Sequence, residues 1–340
     1  MKNILVVNVN WIGDVIFSSP VFKALKEAYP ESRISCLAVP RVQEILESIP
    51  EIDDIIIYDE EGGHRTPWAK LKLICDLRRR EFDIAFLLHR SLTRALFTFF
   101  AGIPLRVGYD TKGRGAFLTH KVLELTGIVH RCDYYLHVIE FFGVRVSDRT
   151  PSLSVHETCE EEVKNILNNF GIVPSDFLLV IHPGGNWDLK QWPRRNFALL
   201  IDRLNEKYKI KIIISGGEKD ISLAQEIFSQ LKTNAVILAG QTNLKQLIAL
   251  MKRAQVVVSS DYGPLHLASS VGTSVIGIFG PTRSEITGPR PRGQGRFLNL
   301  QKDVGCNREP CYYLQCPDNI CMQSVTVEDA IDAFKKNYNH

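Results

Sequence analysis

Short apolar runs rich in β-branched residues alternate along the chain with longer segments whose apolar positions recur at helical spacing. In the first half, strands are predicted at residues 4–9, 34–39, 55–58 and 84–88, and helices at residues 21–29, 42–48 and 68–80. In the second half, the predicted strands are residues 178–181, 210–214 and 255–259, and the predicted helices are residues 160–170, 195–208, 221–231, 244–254, 265–271 and 327–338. This alternation predicts parallel sheets with helices on both faces.

The pattern loosens between residues 146 and 160, where Ser, Asp and Pro residues cluster. A chain of 340 residues has room for two hydrophobic cores. We therefore predict two doubly wound α/β domains that face a cleft, residues 1–155 and residues 156–340, with the C-terminal helix a candidate to pack back on the first domain. Ligands of such sheets bind beyond the carboxyl ends of the strands, so functional groups are expected in the loops that follow strands.

Composition and hydropathy narrow the range of partners. The net charge of +3 is too small to favour a nucleic acid. No stretch approaches the roughly 20 apolar residues of a membrane-spanning helix, and the apolar start of the chain is typical of a buried strand rather than of a signal peptide. We expect a soluble, cytoplasmic protein. Residues 92–101 are the most apolar surface candidate and suit either a core helix or a helix at a membrane interface.

Positive charge is concentrated between residues 89 and 131, where seven basic residues accompany two acidic ones. Arg90, Lys112 and Arg114 are the expected contacts of an anionic ligand. Arg90 follows a predicted strand, and the other two lie in a glycine-containing run without a clear element. That run is a candidate for a mobile loop that orders when the ligand binds. A solvated surface would explain the same charges without any ligand.

The most informative motif follows the strand predicted at residues 255–259. Residues 259–268 (SSDYGPLHLA) place Asp261, Gly263 and Pro264 at the start of a predicted helix. A helix N-terminus offers backbone N–H groups and a partial positive charge, which suit a diphosphate, and Pro264 fits a first turn that needs no N–H. Asp261 is predicted either to cap this helix or to accept hydrogen bonds from the hydroxyls of a sugar.

Three other loops after predicted strands contain candidate groups. Asp14 ends residues 10–14 (NWIGD), where it is either a general base or a helix cap. Lys190 lies in a loop of small residues, 182–193, and is either a point charge for phosphate or a solvated side chain. Glu218 follows another strand and either accepts hydrogen bonds from a ribose or caps the next helix.

Four motifs together resemble glycosyltransferase family 9, the ADP-heptose:lipopolysaccharide heptosyltransferases. They are residues 10–14 (NWIGD), 190–193 (KQWP), 215–218 (SGGE) and 261–266 (DYGPLH), the last followed by residues 280–282 (GPT). The resemblance covers nearly the whole chain, and the motifs occur in the expected order. Tyr262 stands where the family more often has Ser or Thr. Length and the Cys-rich tail favour an acceptor that already ends in heptose over one that ends in Kdo.

The resemblance implies a GT-B fold of two Rossmann-like domains, with the acceptor on the first and ADP-heptose on the second. It implies inverting transfer, with Asp14 as general base and Lys190 as the charge that stabilises the leaving ADP. The implied donor-binding residues are Asn186, Lys190, Glu218, Asp261, Gly263, Pro264, Leu265 and His266. The implied acceptor-binding residues are Asn10, Gly13, Arg90, Lys112 and Arg114. The implied acceptor is the lipid A–Kdo–heptose core of lipopolysaccharide, with peripheral contact to the inner membrane.

This interpretation requires no cofactor or metal, because a Lys and a helix N-terminus can replace a metal ion at a diphosphate. Four cysteines near the C-terminus are spaced more loosely than common zinc ligands and are expected to be reduced and structural: Cys306, Cys311, Cys316 and Cys321. Two other classes stay open. One is a non-hydrolysing sugar-nucleotide epimerase, which would use UDP, and the other is a sugar-nucleotide-binding protein without catalysis.

Overall fold

The computed structural model describes residues 1–290, 292–306, 308, 310–311, 313 and 315–338. The chain forms two compact units, Met1–Ser154 and Val155–His340, which divide next to the boundary expected from the sequence. Each unit is an α/β structure built on a parallel sheet. Among the described residues, no helix is both long enough and apolar enough to cross a membrane.

The first unit is built on a six-stranded sheet with the order β3-β2-β1-β4-β5-β6. Its strands are β1 (Asn3–Val7), β2 (Arg33–Ala38), β3 (Asp54–Ile57), β4 (Ile84–Leu87), β5 (Leu105–Tyr109) and β6 (His120–Val122). The chain order reverses between β1 and β4, which pair in parallel from Ile4 opposite Ile84 to Val7 opposite Leu87. Such a reversal opens a crevice at the carboxyl ends of the two strands.

Helix α1 of this unit is longer than the sequence pattern predicts. The helices are α1 (Ile12–Ala28), α2 (Gln43–Leu46), α3 (Pro67–Arg79), α4 (Leu92–Phe100) and α5 (Arg131–Phe141). Pro20 lies inside α1 and has no N–H to donate to the carbonyl of Ile16. The Ser19 hydroxyl donates to that carbonyl instead, at 2.8 Å. The helix therefore continues through the proline, and Asp14 lies in its first turn.

The basic segment is more ordered than the sequence pattern indicates. It contains β5, β6 and a 3₁₀ turn, Arg114–Phe117, which begins after Gly113 with φ at 73°. The run at residues 112–115 connects β5 to β6, which pair in parallel. Helix α5 begins at the end of this segment and buries Cys132, Tyr135 and Ile139.

The second unit is built on another six-stranded parallel sheet, with the order β12-β11-β10-β7-β8-β9. Its strands are β7 (Leu178–His182), β8 (Lys211–Ile214), β9 (Val236–Ile237), β10 (Val256–Ser260), β11 (Ser274–Ile278) and β12 (Phe297–Leu300). The chain order reverses between β7 and β10, where Ser259 lies opposite His182. The loops after these two strands contain the Lys190 and Asp261 motifs.

The C-terminal helix packs within the second unit. The helices of this unit are α6 (Glu157–Asn169), α7 (Arg194–Lys207), α8 (Ile221–Phe228), α9 (Leu244–Arg253), α10 (Gly263–Ser270), α11 (Ser284–Thr287), α12 (Ile320–Gln323) and α13 (Val327–Tyr338). Helix α13 contacts α7, β11 and β12. Its Phe334 is fully buried, with its ring centroid 5.9 Å from that of Phe177 and 5.2 Å from that of Tyr208.

Candidate active site

A cleft of about 480 Å³ lies at the carboxyl ends of β1 and β4 in the first unit. It is lined by residues of the loops after β1, β4 and β5 and of helices α1 and α5: Val9, Asn10, Trp11, Asp14, Leu88, His89, Arg90, Ser91, Lys112, Arg131, Tyr134 and Tyr135. Four of the predicted site residues are therefore brought together here: Asn10, Asp14, Arg90 and Lys112. Gly13 lies within the first turn of α1 and does not belong to this lining.

Asp14 is held by a side chain that the sequence analysis did not single out. The Tyr135 hydroxyl donates to Asp14 Oδ1 at 2.8 Å. Burial, and then the charge of Asp14, raise the pKa of Tyr135 well above its ordinary value, so the phenol remains a protonated donor. The N-cap of α1 is Trp11, so Asp14 does not cap this helix. The carboxylate is thus oriented, with Oδ2 left to accept a proton from a ligand.

The loop before Asp14 is fixed from inside the unit by Arg94 of α4. This side chain is only 1% exposed, and it donates to the carbonyl of Asn8 at 3.0 Å. Asn8 Oδ1 in turn accepts from the Val9 N–H and the Ser18 hydroxyl, both at 2.9 Å. Burial lowers the pKa of Arg94. Arg94 belongs to the basic segment of the sequence, but it supports the loop and adds no exposed charge.

Arg114 is also inside the protein, so its predicted contact with an acceptor does not fit the structure. The side chain is fully buried, and it donates to the carbonyl of Tyr109 at 2.7 Å and to the carbonyl of His89. Burial lowers its pKa to about 10, which leaves it charged at neutral pH. Arg114 therefore supports the loop after β4 from behind. The glycine-rich run did not distinguish it from Lys112, which is exposed.

His89 is a neutral member of the same lining. Its Nδ1 accepts the Ser91 N–H at 3.1 Å. Burial, and after it the charges of nearby Arg and Lys side chains, lower the pKa of His89 to about 3. The imidazole is therefore uncharged at neutral pH and has its proton on Nε2, where it can only donate.

The lining of this cleft combines three cations with one carboxylate. The guanidinium groups of Arg90 and Arg131 each lie 6.0 Å from the ring centroid of Tyr134. With Lys112, these side chains give the lining three basic residues, of which Arg90 is ion-paired with Glu124, and Asp14 is the acidic residue of the lining. The arrangement suits an anionic ligand that must give up a proton to one carboxylate.

In the second unit, Lys190, Asp261 and His266 meet at the carboxyl ends of β7 and β10. Lys190 belongs to a 3₁₀ turn, Asp188–Lys190, and its Nζ donates to Asp261 Oδ2 at 2.8 Å and to the Asp261 carbonyl at 3.1 Å. The Thr282 hydroxyl donates to the same Oδ2 at 2.6 Å. His266 Nε2 lies 3.3 Å from Asp261 Oδ1. The buried Asp261 carboxylate thus connects the loop after β7, the loop after β11 and helix α10.

Asp261 anchors these side chains. Burial alone would raise its pKa, but the hydrogen bond from His266 and the charge of Lys190 lower it below its ordinary value. The ionised carboxylate is occupied by protein donors, so a direct contact with sugar hydroxyls, as expected from the sequence, would have to displace them. The N-cap of α10 is Tyr262, so Asp261 does not cap that helix.

The first turn of α10 has fewer N–H groups to offer than the motif suggests. Gly263 and Pro264 are partly exposed. Leu265 is buried, and its N–H donates to the carbonyl of Tyr262 at 3.1 Å. The predicted contact of the Leu265 N–H with a diphosphate therefore does not fit the structure, because this N–H already closes the turn.

Tyr262 closes the Lys190 loop from the side of α10. A Cβ atom at Gly185 would lie 2.2 Å from the Tyr262 ring, so only glycine allows this packing. The Tyr262 hydroxyl donates to the carbonyl of Trp187. Lys190 Nζ lies 5.9 Å from the Tyr262 ring centroid and 5.5 Å from that of Trp187. The ammonium group is therefore held beside two aromatic rings as well as by Asp261.

Asn186 and Glu218 lie in neighbouring loops. Asn186 is in the loop after β7, and Glu218 is an exposed residue that begins the 3₁₀ turn Glu218–Asp220 after β8. Within the described part of the chain, neither side chain hydrogen-bonds to Lys190 or Asp261. The N-cap of α8 is Asp220, so Glu218 does not cap the following helix.

The four C-terminal cysteines do not form a recognisable ligand set. Cys306 is exposed, and Cys311, Cys316 and Cys321 are partly buried. Across the residues that the structure describes, His, Cys, Asp and Glu side chains nowhere form a group of three or more that could hold a metal ion.

Two Rossmann-like units with functional groups at their switch points define a GT-B glycosyltransferase fold. The chain superposes on the glycosyl transferase family 9 structure from Veillonella parvula DSM 2008 with a TM-score of 0.87, at 23% identity over 99% of this chain and 97% of that one. It superposes on E. coli ADP-heptose lps heptosyltransferase II with a TM-score of 0.80, at 23% identity over 99% and 98%. The predicted fold class is confirmed.

Residues 70–315 match the family model of glycosyltransferase family 9 (heptosyltransferase). The chain belongs to this family and is a glycosyltransferase, as its motifs predict. It is 27% identical over 297 residues to lipopolysaccharide heptosyltransferase 2 of Escherichia coli (strain K12), which covers 84% of this chain and 85% of the relative.

Proposed function

We propose that this enzyme transfers heptose from ADP-L-glycero-D-manno-heptose to the inner core of lipopolysaccharide, onto an acceptor that already ends in heptose. Family membership supports the reaction class, and the E. coli relative is named lipopolysaccharide heptosyltransferase 2. The observation that supports the catalytic assignment is the position of Asp14 in the cleft. Asp14 is the acidic residue among the lining of a cationic cleft, and Tyr135 orients it at 2.8 Å.

In the proposed reaction, Asp14 Oδ2 takes the proton of the acceptor hydroxyl as that oxygen attacks the anomeric carbon of the donor. The bond from the anomeric carbon to the ADP oxygen breaks, and ADP leaves with its electron pair. Because attack and departure occur on opposite faces, the β-linked donor gives an α-linked product. Tyr135 fixes Oδ1, so Oδ2 is the basic atom.

The second unit binds ADP-heptose in this proposal. Lys190, held by Asp261, stabilises the negative charge that grows on the departing ADP. The first turn of α10 at Gly263 and Pro264 adds the positive end of a helix dipole, so the step needs no metal ion. His266 acts on the donor through Asp261. Asn186 is proposed to contact the donor, and Glu218 to accept from the ribose hydroxyls.

The first unit binds the acceptor in this proposal. Arg90, Lys112 and Arg131 attract the carboxylates and phosphates of the core, and Asn10 contacts the sugar next to Asp14. Because the acceptor is anchored in lipid, we place the enzyme in the cytoplasm, in peripheral contact with the inner membrane.

The test is to incubate the purified protein with ADP-heptose and one of two truncated lipopolysaccharides, one ending in Kdo and one in a single heptose. We expect ADP release and the gain of one heptose with the second acceptor alone. Transfer to the Kdo-ended acceptor would overturn the acceptor assignment. Epimerisation of the donor, or binding of ADP-heptose without turnover on either acceptor, would contradict the transferase itself.

A further inference from the structure

Exposed large apolar side chains occur on two helices of the first unit that contact each other, α3 and α4. Trp68 is 81% exposed and Phe100 is 57% exposed. We call this the α3–α4 surface, with the members Trp68, Leu71, Leu92, Phe99 and Phe100. Five exposed large apolar side chains on two neighbouring helices are unusual on a protein surface that faces only water.

These side chains are not needed for the core. Helix α3 buries Leu73 and Leu77, and helix α4 buries Ala95 and Phe97. Each helix therefore has one apolar set packed on the sheet and a second apolar set directed at solvent. Folding explains the first set only.

Basic residues outnumber acidic ones on the α3–α4 surface, since α3 contains four basic residues and one acidic residue, Asp76. Residues 62–75 and 91–109 contain no Asp or Glu. Arg65 and Lys72 are exposed beside the α3 members. The guanidinium group of Arg106 lies 5.3 Å from the ring centroid of Phe99. Exposed aromatic side chains beside an excess of cations match the interface of an anionic bilayer, where the rings enter the headgroup region and the cations meet phosphate.

We propose that the α3–α4 surface is the membrane-docking face of this enzyme, and that its partner is an anionic lipid bilayer. The proposal rests on the proposed function, because that function requires an acceptor anchored in lipid. Helix α4 also connects the docking face to the acceptor cleft. Ser91 lines the cleft and directly precedes Leu92, and Arg94 of the same helix holds the Asn8 carbonyl. Docking through α4 thus brings the cleft next to the bilayer surface.

The test compares two double variants of the full chain. Trp68→Ser with Phe100→Ser removes the most exposed members of the docking face. Phe170→Ser with Phe228→Ser is the matched control, because these aromatic side chains are 45% and 42% exposed in the second unit. Binding is measured by cosedimentation with vesicles of phosphatidylglycerol and phosphatidylethanolamine, and with vesicles of phosphatidylcholine alone. Melting temperatures verify that both variants are folded.

We expect the wild type to bind the anionic vesicles and not the phosphatidylcholine vesicles. The docking-face variant should lose affinity by about tenfold or more, and the control variant should bind like the wild type. The docking-face variant should also show a raised KM for acceptor embedded in vesicles, with an unchanged KM for a deacylated, water-soluble acceptor.

The proposal is overturned if the wild type does not bind anionic vesicles, or if the two double variants bind anionic vesicles equally well. It is also overturned if Trp68→Ser with Phe100→Ser dissociates a dimer instead, because a second copy would then cover this face. Failure of the wild type on the deacylated acceptor would reject the proposed transfer reaction. Vesicle binding needs no turnover, so the two failures are distinguishable.

Discussion

At the scale of single residues, both candidate sites depend on a charged group fixed by a partner. In the first unit a neutral phenol orients Asp14, and in the second unit a buried carboxylate holds Lys190. A fixed group loses little entropy when the ligand arrives, so its full effect is available in the transition state. Changes to the partner should therefore alter the rate of transfer more than binding.

Tyr135→Phe removes one hydroxyl and leaves the ring in place. We expect kcat to fall by about tenfold, since a hydrogen bond to a charged group is worth roughly 1.5–3 kcal/mol, while the acceptor KM stays near its wild-type value. Steady-state kinetics with variable acceptor measure both constants. Tyr134→Phe is the control, because its hydroxyl donates to Glu124 at 3.2 Å in the same cleft. Equal kcat values for the two variants would show that Tyr135 does not position the base.

The stability of the protein should fall in mild acid because of two histidines, the partly buried His89 and the buried His182. Burial lowers the pKa of His89 to about 3 and that of His182 to about 4, from an ordinary value of 6.5. Between about pH 4 and pH 6.5 the unfolded chain binds protons that the folded protein does not, so the free energy of unfolding decreases as the pH falls. Urea unfolding at pH 7.5 and pH 5 measures this loss. The loss should be smaller in His89→Gln, and an identical loss would contradict the account.

Some of the residues at the candidate sites could be predicted from the sequence and others could not, and the reasons are physical. Asp14 and Lys190 stand in loops that follow strands, so strand prediction alone brings them to the sheet edge. Tyr135 and Arg94 belong to helices, and a helix residue reaches a site only when packing turns it inward. Cys132, Tyr135 and Ile139 recur at helical spacing, and this pattern could have predicted that Tyr135 lies on the buried face of α5.

At the scale of elements, the loops after β7 and β10 are joined by the Lys190–Asp261 pair, and the loop after β4 is supported by Arg114. Both interactions are buried or nearly so. Removing either cation therefore affects stability as well as function, and the variants must be chosen so that the two effects can be separated.

Lys190→Ala should weaken ADP binding by about tenfold to a hundredfold and leave adenosine binding unchanged, because adenosine has no phosphate. Calorimetry on the same protein sample measures both ligands, so any loss of stability from the unpaired Asp261 affects them equally. Lys219→Ala is the control, since Lys219 is exposed in the loop after β8. If ADP and adenosine lose the same affinity, Lys190 does not contact the diphosphate.

Lys112 and Arg114 should respond differently to substitution, although they are two residues apart. Lys112→Gln should raise the acceptor KM, with the donor KM and the stability unchanged, because this side chain is exposed at the cleft. Arg114→Gln should lower the free energy of unfolding by about 2–4 kcal/mol, because it leaves buried carbonyl groups without a donor. Kinetics and urea unfolding test the pair. A stable Arg114→Gln variant with a raised acceptor KM would restore Arg114 as a ligand-binding residue.

The strand and helix pattern was predictable where periodicity was strong, as in α13, whose predicted residues 327–338 match Val327–Tyr338. It failed at α1, because Pro20 usually marks a helix start and nothing in the spacing reveals that the Ser19 hydroxyl would satisfy the Ile16 carbonyl. It also failed in the basic segment, where β6 has only three residues, His120–Val122. Short edge strands have little periodicity to detect.

At the scale of the whole molecule, the chain repeats one sheet architecture twice and places a candidate catalytic group at the same position of each sheet. The first unit places a carboxylate among cations, and the second places a cation beside a helix N-terminus. These are the two charges that an inverting transfer needs, one to remove a proton and one to stabilise the leaving group. Asp14 and Lys190 each lie where the strand order of their own sheet reverses. The topology therefore explains why each unit has one candidate catalytic group at this position.

The most direct test of this account is the kinetic comparison of the wild type with Asp14→Asn, a nearly isosteric change that removes the negative charge and the basicity of the carboxylate. Transfer from ADP-heptose to a heptose-ended lipopolysaccharide is followed by ADP release, and donor affinity is measured by calorimetry on the same samples. The account predicts that kcat falls by roughly two to four decades while the Kd for ADP-heptose stays within about twofold of the wild type. A near-wild-type kcat for Asp14→Asn, in protein that binds the donor normally, would contradict it.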